Sequence, residues 1–262
     1  MKKKSGAKVI AITNQKGGVG KTTTSVNLSD CLAKLKKRIL LIVLDPHASA
    51  SCSLGINRRV INYSVHDVFI SNTPIKKMIL KPMHSQCDII PANLELSQIE
   101  VDLIDNPDKA FVLSQRLEDI KGDYDYILLD CPPSLGIITM NALFAADSVI
   151  IPVQCQFLAM DGLTQLLNTI KTVQKKKRDN NKTLEIEGVL LTMHEKNLTS
   201  CWQITEEIKD CFREKVFDTI ISKNVKASEA PMYQKPVATY APSSPASKQY
   251  KSLAKELISR NE

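Results

Sequence analysis

Eight consecutive residues, Lys16-Gly17-Gly18-Val19-Gly20-Lys21-Thr22-Thr23, carry the densest chemistry of the chain. Gly17, Gly18 and Gly20 free the backbone to turn its N–H groups around an anion, Lys21 can reach phosphate oxygens, and Thr22 offers a hydroxyl to a divalent cation. The segment follows the apolar run Lys8–Thr13 and opens a helical pattern over Lys21–Lys36, so the positive end of a helix dipole is added to the cradle. This is the chemistry of holding a polyphosphate together with a metal ion. Two carboxylates suit the same chemistry, since Asp45 follows the run Arg38–Leu44 and Asp130 ends the run Tyr126–Asp130. The carboxyl edge of strands is where open α/β sheets bind ligands.

The elements that must position these groups are legible as alternation. Strand-like runs recur at Lys8–Thr13, Arg38–Leu44, Cys87–Pro91, Tyr126–Asp130, Ser148–Val153, Ile186–Thr192 and Val216–Ile221. Several are continuously apolar and β-branched, as in strands buried on both faces. Between them lie helical patterns over Lys21–Lys36, Leu158–Lys175, Cys201–Phe212 and Ser244–Ser259. The alternation predicts an α/β fold, a doubly wound, mainly parallel sheet flanked by helices, with residues 1–262 as a single domain. Gly55–Met83 is the least periodic stretch and is expected to be an irregular excursion with a short helix around Val65–Ile70.

Composition removes several function classes. With 43% hydrophobic and 24% charged residues over 262 positions, and only 9 Gly and 12 Pro, collagen-like, low-complexity and wholly disordered readings fall away. No apolar run reaches the roughly 18 residues of a spanning helix. Met1-Lys2-Lys3-Lys4 has the charge of a signal n-region, but Gly18 and Lys21 arrive before an apolar core could be completed, so export is not expected. The seven cysteines form no C-x-x-C pair; their number and spacing point to a reducing cytoplasm and to no metal-bound thiols. A net charge of +7 favours an anionic partner.

The phosphate segment departs from the ordinary G-x-x-x-x-G-K-[ST] pattern because Gln15 replaces its first glycine, and Lys16 accompanies the change. Lys16-Gly-Gly-Val-Gly-Lys-Thr-Thr resembles the deviant Walker A motif of the ParA/MinD family of P-loop ATPases. Asp45-Pro46-His47-Ala48-Ser49-Ala50-Ser51 resembles that family's D-P-Q-G-N-x-[ST] segment, and Tyr126–Asp130 its Walker B strand. The resemblance implies ATP and Mg²⁺ as ligands, held by Lys16, Gly17, Gly18, Val19, Gly20, Lys21, Thr22 and Thr23, with Thr22 and Asp130 on the metal. It further implies that Lys16 contacts nucleotide in a partner subunit, tying ATP to homodimer formation, and that Asp45 positions the attacking water, so that Lys16, Lys21 and Asp45 form the catalytic set.

Within the family, Ile150–Phe157, Ala159–Leu163 and Ile221–Val237 look like segments of partition ATPases. That likeness implies Ser222 and Asn224 at the adenine, nonspecific DNA of the nucleoid as a partner through Lys196, Lys223 and Lys226, and a DNA-bound ParB-like activator. A cytoplasmic, nucleoid-associated protein without membrane insertion is expected. The basic run Lys171, Lys175, Lys176, Lys177 and Arg178 adds charge nearby in sequence.

Departures keep other readings open. His47-Ala48-Ser49 replaces Gln-Gly-Asn, removing a glycine's freedom beside the expected catalytic water, which would suit a low-turnover nucleotide-binding regulator. Asn197 stands where an arginine is common, and Ser222 where proline is usual. The tail Tyr250–Glu262 places Leu253, Leu257 and Ile258 on one face, which a membrane-surface ATPase of the MinD type would use on lipid and a packed helix would use on its own domain.

Overall fold

The structure is a computed structural model that describes residues 6–156, 159–179 and 181–262, with side chains described throughout except at 159–162. Expectations that fall on Met1–Lys4, Phe157, Leu158 and the side chains of 159–162 lie outside the described residues. The strands are β1 (Lys8–Ile12), β2 (Ile39–Val43), β3 (Asp88–Ile90), β4 (Tyr126–Asp130), β5 (Ser148–Gln154) and β6 (Glu185–Thr192). They form one sheet in the order β3-β2-β4-β1-β5-β6, every pairing parallel. The chain runs from β1 to β2 and β3 on one side, returns to place β4 between β2 and β1, then crosses to β5 and β6 on the other side, and the carboxyl edge near β1 is the switch point where such sheets open a crevice.

The helices are α1 (Lys21–Lys34), α2 (Ser49–Ser53), α3 (Val65–Ile70), α4 (Ile99–Asp102), α5 (Val112–Leu117), α6 (Ile137–Ala145), α7 (Ala159–Arg178), α8 (Thr199–Phe212), α9 (Val225–Glu229), α10 (Val237–Tyr240) and α11 (Pro245–Ser259). All five residues of β2 and of β4 are buried, as the unbroken apolar runs require of strands covered on both faces. In the excursion, Ser64 caps α3 by accepting from the His66 N–H, while Asp67 accepts from the Ser64 N–H. The tail helix α11 packs against α1: Leu253 and Leu257 are fully buried, and the Tyr250 hydroxyl sits 3.4 Å from Thr24 Oγ1.

Two expectations are corrected. Val216–Ile221 is not a strand. It touches β6 through Phe217 N–H to Val189 O and Ile221 N–H to Leu191 O, but the N–H groups of Asp218 and Thr219 donate instead to the Glu256 carboxylate of α11, at 2.8 and 2.9 Å. A carboxylate accepting two adjacent amides interrupts the ladder. The basic run of α7 is not uniformly solvated either, because Lys177 is 4% exposed and donates to the carbonyl of Ala146. Burial pulls its amine down to about 8.

The close approach of Phe217 to β6 depends on Gly188. A Cβ built there would lie 2.4 Å from Phe217 Cε2, and the ring is held from its other side by the Arg260 guanidinium, 4.4 Å from the centroid. Gly188→Ala is expected to destabilise the protein by about 1–3 kcal/mol, the range for overpacking. A melting midpoint unchanged from the parent would show that the ring moves freely.

Candidate functional site

The site begins at the start of the glycine segment. Asn14 donates through Nδ2 to the Pro152 carbonyl of β5 and accepts the Lys16 N–H on Oδ1 at 3.0 Å, so a buried side chain fixes where the loop leaves β1. Gly18 and Gly20 take φ values of 75° and 86°, the left-handed region where a side chain is strained. Val19 is buried, and its carbonyl accepts from Thr192 Oγ1 at 2.8 Å, joining the loop to the end of β6. Gly20 precedes α1 without any side-chain cap, and the first turn holds no acidic residue. The first N–H groups of the helix are thus left for an anion.

Around this turn lies a cavity of about 360 Å³, lined by Gly17, Gly18, Gly20, Lys21, Thr22 and Thr23 and closed on its far sides by Asp45, Met193, Pro231 and Lys235. Lys21 is 7% exposed and its Nζ donates to the Lys16 carbonyl at 3.0 Å. Burial lowers its pKa, while the negative charges of Asp130 and Asp45 oppose that shift.

Asp130 is level with Ile12 of β1 and Val43 of β2 in the sheet register, which brings the end of β4 beside the roots of both loops. It is fully buried. Burial pushes its carboxyl up to about 7, against the hydrogen bonds of Ser25 and Thr22 and the charge of Lys21. Ser25 Oγ donates to Oδ1 at 2.8 Å, while Oδ2 has no hydrogen-bond partner among the described residues. A buried carboxylate oxygen left unsatisfied next to a threonine hydroxyl and a lysine fits a hydrated divalent cation, whose water would donate to Oδ2.

Asp45 follows β2 and is held by one short turn. Its Oδ1 accepts the His47 N–H at 2.9 Å and lies 2.9 Å from His47 Nδ1. Ala48 adopts φ 56° and ψ 30° and is fully buried, so alanine occupies the left-handed conformation for which the resembling motif uses glycine. A non-glycine residue in this region carries backbone strain, which the loop accepts at Ala48. His47 is an exposed surface residue, as its sequence context suggests, and its ring also lies against the Asp45 carboxylate.

The remaining expected residues divide. Lys196 and Lys223 lie on adjoining segments, since His194 N–H donates to Ile221 O and Lys223 N–H to His194 O, and Lys226 follows in α9. Lys223 pairs with Glu195 at 3.2 Å and Lys226 with Glu229 at 2.9 Å. Ser222 and Asn224 do not line the cavity. Ser222 Oγ accepts from Gln249 Nε2 at 2.8 Å, and Asn224 Oδ1 caps α9 by accepting the Lys226 N–H at 3.0 Å. Met193, Pro231 and Lys235 do line it and were missed. The latter two lie in the segment Ile221–Val237 already singled out; Met193, at φ 49°, gave no signal in the sequence.

Comparison with known proteins agrees with this geometry. A family model described as an AAA domain matches residues 7–186. The sporulation initiation inhibitor protein Soj of Bacillus subtilis is 47% identical over 250 residues, covering 95% of this chain and 98% of Soj. The chromosome partitioning protein ParA of Caulobacter vibrioides is 42% identical over 255 residues, covering 97% and 94%. Among solved structures, a cobyrinic acid a,c-diamide synthase from Mycobacterium smegmatis with bound ATP analogue and magnesium superposes with a TM-score of 0.84 at 30% identity, over 96% of this chain and 94% of that one. Glycine loop, strand-end carboxylates and near-full-length similarity converge: the chain belongs to the ParA/Soj family of chromosome-partitioning P-loop ATPases.

Proposed function

We propose that this protein, acting as one ATPase domain over residues 1–262, binds ATP·Mg²⁺ in the cavity at the start of α1, dimerises through the bound nucleotide, and in that state holds nonspecific DNA until a ParB-like partner stimulates hydrolysis. The observation that carries the reading is the uncapped start of α1 beside buried Lys21 and the orphaned Oδ2 of Asp130. In this reading the N–H groups of Gly17–Gly20 and Thr23 and the Lys21 ammonium hold the phosphates. Thr22 and Asp130 hold the metal, whose charge, when it is bound, offsets that building up on the phosphate oxygens. Asp45, oriented by His47, aligns the attacking water. Lys16 reaches the phosphates of the partner subunit, and Ser222 and Asn224 turn toward the base once nucleotide is present.

The DNA arm rests on the exposed Lys196, Lys223 and Lys226. The ion pairs of Lys223 and Lys226 are exposed, and pairs of that kind contribute little, so phosphate oxygens can replace Glu195 and Glu229 at small cost. A cytoplasmic location on the nucleoid follows from that partner. A membrane-surface role is less well supported, because Leu253 and Leu257 of the apolar face of α11 are buried and the helix packs on α1.

One comparison tests the switch. The parent with ATP·Mg²⁺ is expected to double its mass by light scattering and to shift DNA of any sequence, with an affinity that falls steeply as salt rises, because phosphate contacts release counterions. Lys16→Ala is expected to bind nucleotide as a monomer and to lose both responses. A variant that still dimerises and shifts DNA would remove Lys16 from the interface. A parent that ignores DNA at low salt would favour the low-turnover regulator.

A further inference from the structure

Three side chains far apart in sequence meet beyond the carboxyl ends of β5 and β6. Cys155 follows β5 directly, His194 lies two residues past β6, and Cys201 lies in the first turn of α8. Their sulfur and ring nitrogen atoms all lie within 4.8 Å of one another. All three are buried, at 7%, 2% and 2% exposure. The spacing of the cysteines hid this arrangement, because no two of the three donors are neighbours in the chain and the fold alone assembles them.

What the donors lack is as informative as where they stand. Among the described residues neither ring nitrogen of His194 has a hydrogen-bond partner, although native proteins pair almost all buried polar atoms. The sulfurs make weak contacts: Cys155 Sγ lies 3.6 Å from Thr205 Oγ1 and faces the Cys201 thiol, and Cys201 Sγ accepts the Glu195 N–H at 3.4 Å. The ring of Trp202 packs edge-on against His194 with centroids 4.7 Å apart and covers the cluster.

We propose that Cys155, His194 and Cys201 bind one Zn²⁺ ion. Two thiolates and an imidazole are a recognised zinc donor set with a fourth, non-protein position. Tetrahedral bonds of roughly 2.0–2.3 Å put such donors about 3.5–3.8 Å apart, so the three need to close in by no more than about 1.3 Å. Zn²⁺ with two thiolates is neutral, which suits a site shut off from water, whereas Cu⁺ would leave an uncompensated negative charge there. The ion takes one ring nitrogen of His194 as a ligand and thereby satisfies it. Two protons leave the thiols as the bonds form.

Occupancy has a structural consequence. His194 joins the segment after β6 to the segment 221–226 through its own backbone, and its neighbour Met193 lines the nucleotide cavity. A metal at His194 would therefore brace both lysine-bearing segments against β5 and α8. The binding itself does not depend on the partition reading.

The test uses the full chain, prepared with reductant and without chelator. Metal content after desalting from equimolar Zn²⁺ is expected to be one equivalent per chain. Co²⁺ used as a probe is expected to give a thiolate charge-transfer band and to quench Trp202, the chain's single tryptophan. Cys201→Ser and His194→Gln are expected to weaken Zn²⁺ binding at least about hundredfold, while Cys211→Ser, an exposed thiol on the same helix, should bind like the parent. Should a variant fail to fold, the Co²⁺ spectrum of the parent still decides. A parent that keeps under about a tenth of an equivalent and shows no charge-transfer band overturns the site, as does undiminished binding by folded Cys201→Ser. Preference for Cu⁺ over Zn²⁺, or a Cys155–Cys201 disulfide in the reduced preparation, overturns the assignment of the ion.

Discussion

Lys21→Ala is expected to reduce ATP·Mg²⁺ affinity by between about thirtyfold and several thousandfold, the loss of about 2–5 kcal/mol that follows truncation of a buried charged contact. The side chain is already 7% exposed before any nucleotide arrives, and its Nζ is held by the Lys16 carbonyl, so little ordering remains to be done on binding. Its charge is kept in place by Asp130 and Asp45 despite the desolvation that lowers its pKa. Removing a desolvated cation that faces open cavity should leave the fold intact, and circular dichroism with a melting curve separates a folding defect from a binding one. Isothermal titration reads the affinity. A folded variant with parental affinity would mean that the loop amides and the α1 dipole hold the phosphates alone.

Much of this was visible in the sequence, for reasons that can be named. Buried parallel strands must be apolar on both faces, so β1, β2, β4, β5 and β6 announced themselves as short β-branched runs. The glycine loop was legible because its backbone needs residues without Cβ at Gly18 and Gly20, where φ is positive. Where reading failed, a long-range contact had the deciding effect. Val216–Ile221 has the composition of a strand, yet Glu256, nearly forty residues on, takes its amides. Lys177 sits in a basic run and is buried because Ala146 offers a carbonyl at that level of the fold. Cys155, His194 and Cys201 carry no spacing signal at all, since two strand ends and a helix start bring them together. By sequence, His47-Ala48-Ser49 is a departure that removes a glycine's freedom after Asp45; in the structure His47 contacts Asp45 and Ala48 takes the left-handed conformation that glycine adopts most easily.

That loop carries the other large effect. Asp45→Ala is expected to cut phosphate release by at least about hundredfold, within the range attributed to positioned proton acceptors, while leaving ATP binding and the ATP dimer in place. The separation follows from where the residue is anchored. Asp45 lines the cavity but belongs to the end of β2, tied to β4 by the Leu44 N–H donating to the Asp130 carbonyl at 2.9 Å, and it accepts the His47 and Ala48 N–H groups of its own turn, touching the glycine loop through its charge on Lys21. Its Oδ1 is doubly engaged by the His47 N–H and ring, so a water meeting this carboxylate meets one whose orientation is already fixed. His47→Ala removes the ring contact and keeps the amide one, and should therefore lower turnover only severalfold, with nucleotide affinity unchanged. The ordering Asp45→Ala well below His47→Ala below parent, measured as steady-state phosphate release at saturating ATP, distinguishes a positioned water from electrostatic support. If Asp45→Ala turned over at the parental rate, the water would have to be aligned from elsewhere, and the strained turn at Ala48 would be a packing feature of α2 rather than part of catalysis.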